Sequence, residues 1–206
     1  GNIEMLADES FGILNKGQHE LVEDIQISTT RLIGMVNDML DITKIEQGKL
    51  DMVCEIINVN DLFHSIIDDL ADYAKRHNFI ISTNLQDTNT TVFGDKIRVR
   101  QVFQNLIDNA IKYGRDSGLL HKSSCIEGDH VKFSFKDSGI GIPKQEQSSL
   151  FERFYRASNT ANLASGGSGL GLYIVKSLVK ELGGDIWFES EENVGTTFFV
   201  TIPRTK

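Results

Sequence analysis

The sequence predicts an α+β protein, a helical hairpin followed by a two-layer α/β sandwich. Three observations lead there. A helical pattern runs without internal proline from about residue 15 to residue 50. After Gly48 the texture changes to short alternating runs interleaved with amphipathic helices. The strand candidates near the C-terminus are joined by hairpin-like turns, and that mixture implies an α/β sandwich. The expected division is residues 1–52 for the hairpin and 53–206 for the sandwich.

The opening stretch, GNIEMLADESFGIL, reads as the end of one helix and a turn. In the long helix that follows, Leu21, Ile25, Ser28, Leu32, Met35, Met39 and Ile42 form a near-heptad seam. A helix over residues 15–50 would span about 54 Å, which calls for a coiled coil or bundle across a dimer. A strand at 55–59 precedes a helix capped by Asn60 or Asp61 and running to about Arg76. Strands are expected at 79–84 and 91–93, then a helix over 95–113. Strands at 119–126 and 131–136 flank the turn Glu127-Gly128-Asp129. A short helix covers 144–154, and the polar, small-residue stretch 157–167 reads as mobile. A helix over 170–182 ends at Gly183-Gly184, and strands at 185–189 and 196–202 close the chain.

Composition narrows the function. A net charge of −8 with no Lys/Arg-rich run excludes a nucleic-acid binder. Cys54 and Cys125 form no CxxC or Cys/His pattern, so they read as reduced thiols in a reducing compartment. No apolar run reaches the length of a bilayer span, and no signal peptide opens the chain. A cytoplasmic location is the expectation. The chain starts inside a helical pattern, so it reads as a piece of something longer, and the cytoplasmic part of a membrane-anchored sensor fits equally.

Three stretches carry chemistry. In RVRQVFQNLIDNAIKYG, residues 98–114, Asn105, Asn109 and Lys112 share one stripe beside an apolar face. A carboxamide oxygen is a neutral hard ligand suited to Mg²⁺, although paired asparagines on a helix also suit plain solvent. In DSGIGIP, residues 137–143, Asp137 ends a strand at a glycine-rich turn. A carboxylate only accepts hydrogen bonds, so it suits the exocyclic amine of adenine and repels the carbonyl of guanine. An exposed turn aspartate is the competing reading. In GGSGLGLYIV, residues 166–175, a glycine loop enters a helix and offers backbone N–H groups to an anion. The preceding SNTANLAS is no buried strand, which rules out a dinucleotide fingerprint and leaves a flexible linker as the alternative.

Together these stretches resemble the sensor histidine kinases. Residues 105–110, NLIDNA, look like that family's N box and 137–143 its first glycine box. Phe151-Glu152-Arg153-Phe154 looks like the F box, 167–172 the second glycine box, and Gly195-Thr196-Thr197-Phe198 the last patch. NDMLDITKIEQGKL, residues 37–50, resembles the second helix of the dimerisation and phosphotransfer domain.

The resemblance implies an ATP-binding catalytic domain with the sandwich shared with gyrase and MutL-type ATPases, using ATP and Mg²⁺. It implies that Asn109 is the metal ligand, that Asp137 reads adenine, and that Lys112 and Tyr113 line phosphates and ribose. Gly139, Gly141 and Ile142 of the first glycine turn would also line the nucleotide, as would Phe154 and Thr197. So would Gly167, Ser168, Gly169, Leu170 and Gly171 of the second loop. Residues 144–168 become the ATP lid, and Arg153 or Arg156 would meet the γ-phosphate. Asn105 stands where hydrolytic relatives carry a water-activating Glu, and a carboxamide cannot take that proton. Asn105, Lys112, Arg153 and Arg156 are therefore the residues expected to act in phosphoryl transfer.

The implied partners are a response-regulator receiver domain and a second copy joined through the helical hairpin. His19-Glu20-Leu21 echoes the family's acceptor motif, but Val22-Glu23-Asp24 follows without the Arg-Thr-Pro. The acceptor is expected upstream of Gly1, and this chain alone is not expected to autophosphorylate. His64, His77, His121 and His130 have no ligand spacing. A pseudokinase or nucleotide-gated clamp on the same ATP-binding fold is the alternative. The long helix weighs against the clamp, and the intact Asn109, Asp137 and glycine loop weigh against the pseudokinase.

Overall fold

The long helix begins where its first turn can close on itself. Asn15 accepts a hydrogen bond from the Gln18 N–H at 3.0 Å, and the Asn15 N–H donates to the Gln18 side chain at 2.9 Å. This helix, α1 (Lys16–Glu46), has 31 residues and spans about 46 Å. It ends four residues short of residue 50 because Gly48 takes a φ of +61°, which no right-handed helix continues. Within the chain its seam residues Leu21, Ile25, Leu32 and Met39 are exposed. The structure, a computed structural model, describes residues 5–6, 12–76, 78–84, 90–114, 118–160 and 167–204. The fold divides into two units, Gly1–Gln47 and Gly48–Lys206. Among the described residues no helix is long and apolar enough to cross a membrane.

The second unit runs β1 (Cys54–Asn58), α2 (Val59–Arg76), β2 (Ile80–Asn84), β3 (Thr91–Asp95), α3 (Lys96–Tyr113), β4 (Leu119–Glu127) and β5 (His130–Asp137). It then continues through α4 (Gly171–Glu181), β6 (Ile186–Glu191) and β7 (Gly195–Pro203). β1 and β3 pair as an antiparallel ribbon. The other strands form one sheet in the order β2-β4-β5-β7-β6, antiparallel except for the parallel β2–β4 pair. Helical periodicity gives each helix one apolar stripe: Phe63 and Ile66 from α2, Phe103 and Leu106 from α3, Ile174 and Leu178 from α4. These face the inward row of the sheet, where Phe103 meets Phe133 edge-on at 4.9 Å and Phe63 tilts against Phe135 at 6.4 Å. Such aromatic pairs contribute about 1 kcal/mol beyond their buried area.

One local detail differs from the sequence reading. The cap of α2 is Asn58, whose Oδ1 accepts from the Asn60 and Asp61 N–H groups at 2.9 and 3.3 Å. β1 feeds the helix with no intervening loop, so the last strand residue takes the capping position ahead of Asn60 and Asp61. Gly114, at the end of α3, has a packing reason to be glycine. A Cβ there would stand 2.5 Å from the buried Phe79 ring and 2.7 Å from the Ala110 carbonyl.

Asp95 starts α3. Its Oδ1 accepts from the Ile97 and Arg98 N–H groups, and its Oδ2 accepts from Val53 N–H at 2.9 Å. One buried carboxylate thus caps a helix and anchors the chain entering β1.

Lys122 is the anomaly of the core. It sits on β4 with no solvent exposure, and its Nζ lies 4.6 Å from the Phe63 ring centroid with no hydrogen-bond partner among the described residues. Burial pushes its pKa down to about 8. Below that pH the folded protein holds a buried charge that the unfolded chain would solvate, so the penalty is full at neutral pH. As pH rises past 8 the folded state sheds its proton first, and stability climbs until the unfolded-state pKa is reached. Lys122→Met should raise the unfolding free energy at pH 7 by about 2 kcal/mol, measured by urea denaturation. The parent protein should gain stability between pH 7 and pH 9.5, and the variant should gain less. Equal stability and parallel pH profiles would show that the ammonium is solvated.

Candidate functional site

α3 presents its polar stripe because its opposite face is spent on the core. Val102, Phe103, Leu106 and Ile107 are buried, which leaves Asn105, Asn109 and Lys112 half-buried along the adjoining side. Asn105 Nδ2 donates to the Gln101 carbonyl at 3.0 Å. That bond fixes the carboxamide and aims Oδ1 at the start of α4, where it lies 2.8 Å from the place a Gly171 Cβ would occupy. A Cβ at position 171 would displace this carboxamide oxygen. Asp108, on the turn between the asparagines, has its pKa raised by burial and partly restored by Lys112 one turn on.

β5 delivers Asp137 to the same end of the sheet. Its Oδ1 accepts from Gly139 N–H at 2.8 Å and Thr196 N–H at 3.1 Å. Among the described residues nothing bonds Oδ2. Burial raises the Asp137 pKa, while the two N–H donors pull it back. Gly139 is squeezed between this carboxylate and the Tyr113 carbonyl, 2.5 Å from where its Cβ would stand. The same Tyr113 carbonyl accepts from Ile140 N–H at 3.1 Å. The end of α3 and the first glycine turn are therefore one bonded assembly. Ile142 N–H donates to Ser190 Oγ, which fixes the far side of the turn against β6.

The second glycine loop closes the cluster. The Tyr113 hydroxyl is 3.4 Å from the place of a Gly167 Cβ. Ser168 Oγ accepts from Leu170 N–H at 3.2 Å, and no side chain caps α4. Backbone N–H groups of its first turn are left to an external acceptor, as at many anion sites.

The segment between the glycine motifs is less helical than its sequence suggests. A 3-10 turn, Lys144–Ser149, replaces the helix expected over 144–154. Phe154 takes a φ of +61°, which stops a helix, and its backbone fills the space beside Gly169, itself at +72°. Glu146 gathers the segment by accepting from Tyr155 Oη, Ser158 N–H and Ser158 Oγ. Asn159 Nδ2 donates to the Gly141 carbonyl at 3.0 Å. The middle of the expected lid, residues 161–166, lies outside the described residues.

The structure thus brings Asn105, Tyr113, Asp137, Gly139, Gly167 and Gly171 together. Ile142 and Leu170 turn their side chains into the core and leave only backbone to a ligand. Thr197 is not brought to the cluster. Strand alternation turns it to the outer face, across from Lys136 and Glu189, and Thr196 supplies the N–H on Asp137. That backbone role leaves no mark in the side-chain sequence. Arg156 is exposed, while Arg153 Nη2 donates to Tyr173 Oη at 2.7 Å. Tyr173 is a partner that sequence reading passed over, although an aromatic one turn into a glycine-led helix was its signal. Among the described residues no three His, Cys, Asp or Glu side chains form a metal cluster. A hard cation held by carboxamide oxygen, phosphate and water remains compatible with the α3 stripe.

Residues 94–206 match the family model of histidine kinase-, DNA gyrase B- and HSP90-like ATPases, and residues 1–48 match the His Kinase A (phospho-acceptor) domain. The chain is 33% identical over 201 residues to the sensor histidine kinase GacS of Pseudomonas protegens, covering 94% of this chain and 22% of that protein. It is 35% identical over 197 residues to the circadian input-output histidine kinase CikA of Synechococcus elongatus, covering 95% and 26%. It therefore spans about a quarter of the length of these curated relatives. The catalytic domain of histidine kinase ThkA superposes with a TM-score of 0.66 at 28% identity, over 75% of this chain and all of that one. The chain belongs to the histidine kinase-, DNA gyrase B- and HSP90-like ATPase family.

Proposed function

We propose that this core binds Mg-ATP and transfers the γ-phosphoryl to a histidine, from which it passes to a receiver-domain aspartate of a response regulator. The observation that carries the reading is the meeting of the α3 carboxamide stripe with the uncapped first turn of α4, Asn105 Oδ1 lying against Gly171. An anion seated on those N–H groups is within reach of a cation held by the carboxamides.

Asp137 Oδ2 accepts from the adenine amine while Oδ1 stays tied to the backbone. Asn109 supplies the oxygen that holds Mg²⁺, which neutralises charge between the phosphates. Lys112 and Tyr113 line phosphates and ribose, and Gly139, Gly141 and the loop 167–171 let backbone approach the nucleotide. Arg153 or Arg156 meets the terminal phosphate. Asn105, a carboxamide where hydrolytic relatives hold a Glu, orients the site without activating water. The exposed seam of α1 suits a second copy, giving a homodimer through the hairpin, and a cytoplasmic location fits the ATP chemistry.

His19 lies in the first turn of α1 and lacks the acceptor motif, so this reading keeps the acceptor histidine upstream of Gly1. In an N-terminally extended chain, His19→Ala should leave phosphohistidine formation from labelled ATP intact. Loss of label would make His19 the acceptor.

Asn109→Ala should abolish the Mg²⁺-dependent part of ATP affinity in calorimetric titrations with and without EDTA. An unchanged Mg²⁺ dependence would remove the metal role. Asp137→Asn should weaken ATP binding by more than about 1 kcal/mol, the scale of a lost charge-assisted hydrogen bond. Parent-like affinity would place adenine elsewhere.

A further inference from the structure

Among the described residues, Arg153 is the lid arginine with a defined aromatic partner. Its guanidinium lies over the Tyr173 ring, 4.6 Å from the centroid, and its Nη2 donates to the Tyr173 hydroxyl at 2.7 Å. The two contacts restrain different freedoms. The cation–π contact keeps the guanidinium close to the ring, and the hydrogen bond ties one of its donors to the hydroxyl.

Tyr173 is itself well referenced. It stands in the first turn of α4, two residues after Gly171, whose missing Cβ seats Asn105 Oδ1. One turn further along α4, Lys176 Nζ lies 5.2 Å from the centroid of Phe151, and Phe151 packs edge-on against Phe188 at 5.7 Å. Two cation–aromatic pairs at i and i+3 of one helix thus fasten the turn over 151–154 to α4. An exposed arginine otherwise gives up about 2 kcal/mol of rotamer entropy when it binds an anion. Held on Tyr173, it has surrendered part of that freedom beforehand. The hydroxyl engages one donor of a fork that has five, so the contact is compatible with a phosphate oxygen on the same guanidinium.

We infer that Tyr173 is a positioning residue, holding Arg153 at the mouth of the glycine loop so that it discriminates a nucleoside triphosphate from a diphosphate. The inference rests on the proposed function above and takes Arg153, of the two lid arginines named there, as the one that meets the terminal phosphate. It assigns Tyr173 no contact with the nucleotide.

The test is calorimetric titration of the chain with Mg-ADP and with a non-hydrolysable Mg-ATP analogue, for the parent, Tyr173→Ala, Tyr173→Phe, Arg153→Ala and the double alanine variant. Tyr173→Ala should lower triphosphate affinity about fivefold to tenfold and leave ADP affinity unchanged, the scale of one cation–π contact plus one hydrogen bond. Tyr173→Phe, which keeps the ring, should recover part of the loss. In the Arg153→Ala background Tyr173→Ala should have no further effect, because the tyrosine acts only through the arginine. If Arg153→Ala lowers the triphosphate-to-diphosphate preference but Tyr173→Ala does not, the positioning role is overturned and the arginine reading stands. An equal loss for both nucleotides in Tyr173→Ala would also overturn it, since that is what loosening α4 would produce. If Arg153→Ala leaves the preference unchanged, the arginine reading fails and takes this inference with it.

Discussion

One carboxylate oxygen joins two parts of the chain that are far apart in sequence. Asp137 Oδ1 receives the N–H of Gly139 in its own turn and that of Thr196 from β7, 59 residues away. The turn it stabilises presses Gly139 against the last carbonyl of α3. Strand order in the sheet, the length of α3 and the shape of the glycine turn all have to agree for that oxygen to be satisfied. Burial of a carboxylate is costly unless it is hydrogen-bonded. Two backbone donors meet the cost with one oxygen and leave the other for chemistry.

The second constraint is closeness between helices. α3 and α4 approach until a carboxamide oxygen occupies the space a Gly171 side chain would need. A larger residue in place of that glycine would displace the Asn105 carboxamide from its position against α4. The N–H groups of α4's first turn lack a side-chain cap, an arrangement that costs stability in an isolated helix. It is tolerated where an external acceptor completes the turn. Function and fold therefore compete at this helix start, while Lys122 shows a separate cost in the core with no part in the cleft.

The fold class was legible from periodicity alone. The break at Gly48, the glycine-ended α4 and the hairpin at 127–129 are all turn chemistry that side chains advertise. What stayed hidden depends on long-range geometry. Gly114 looks like an ordinary helix-ending glycine until Phe79 is seen in the space beside it. Residues 144–154 have a helical pattern, yet packing of the Phe154 backbone on Gly169 breaks it. Thr196 rather than Thr197 meets Asp137 because the contact is made by main chain. Tyr173 looked like one more amphipathic helix residue until Arg153 was found lying on it.

The central claim is that the assembly around Asp137 is an adenine site. Titrating this chain with Mg-ATP and Mg-GTP under identical conditions tests it most directly. Asp137 Oδ2 can accept from the amine of adenine and meets only a carbonyl oxygen in guanine, so ATP should bind about tenfold or more tightly. Equal affinity for the two nucleotides would contradict the account.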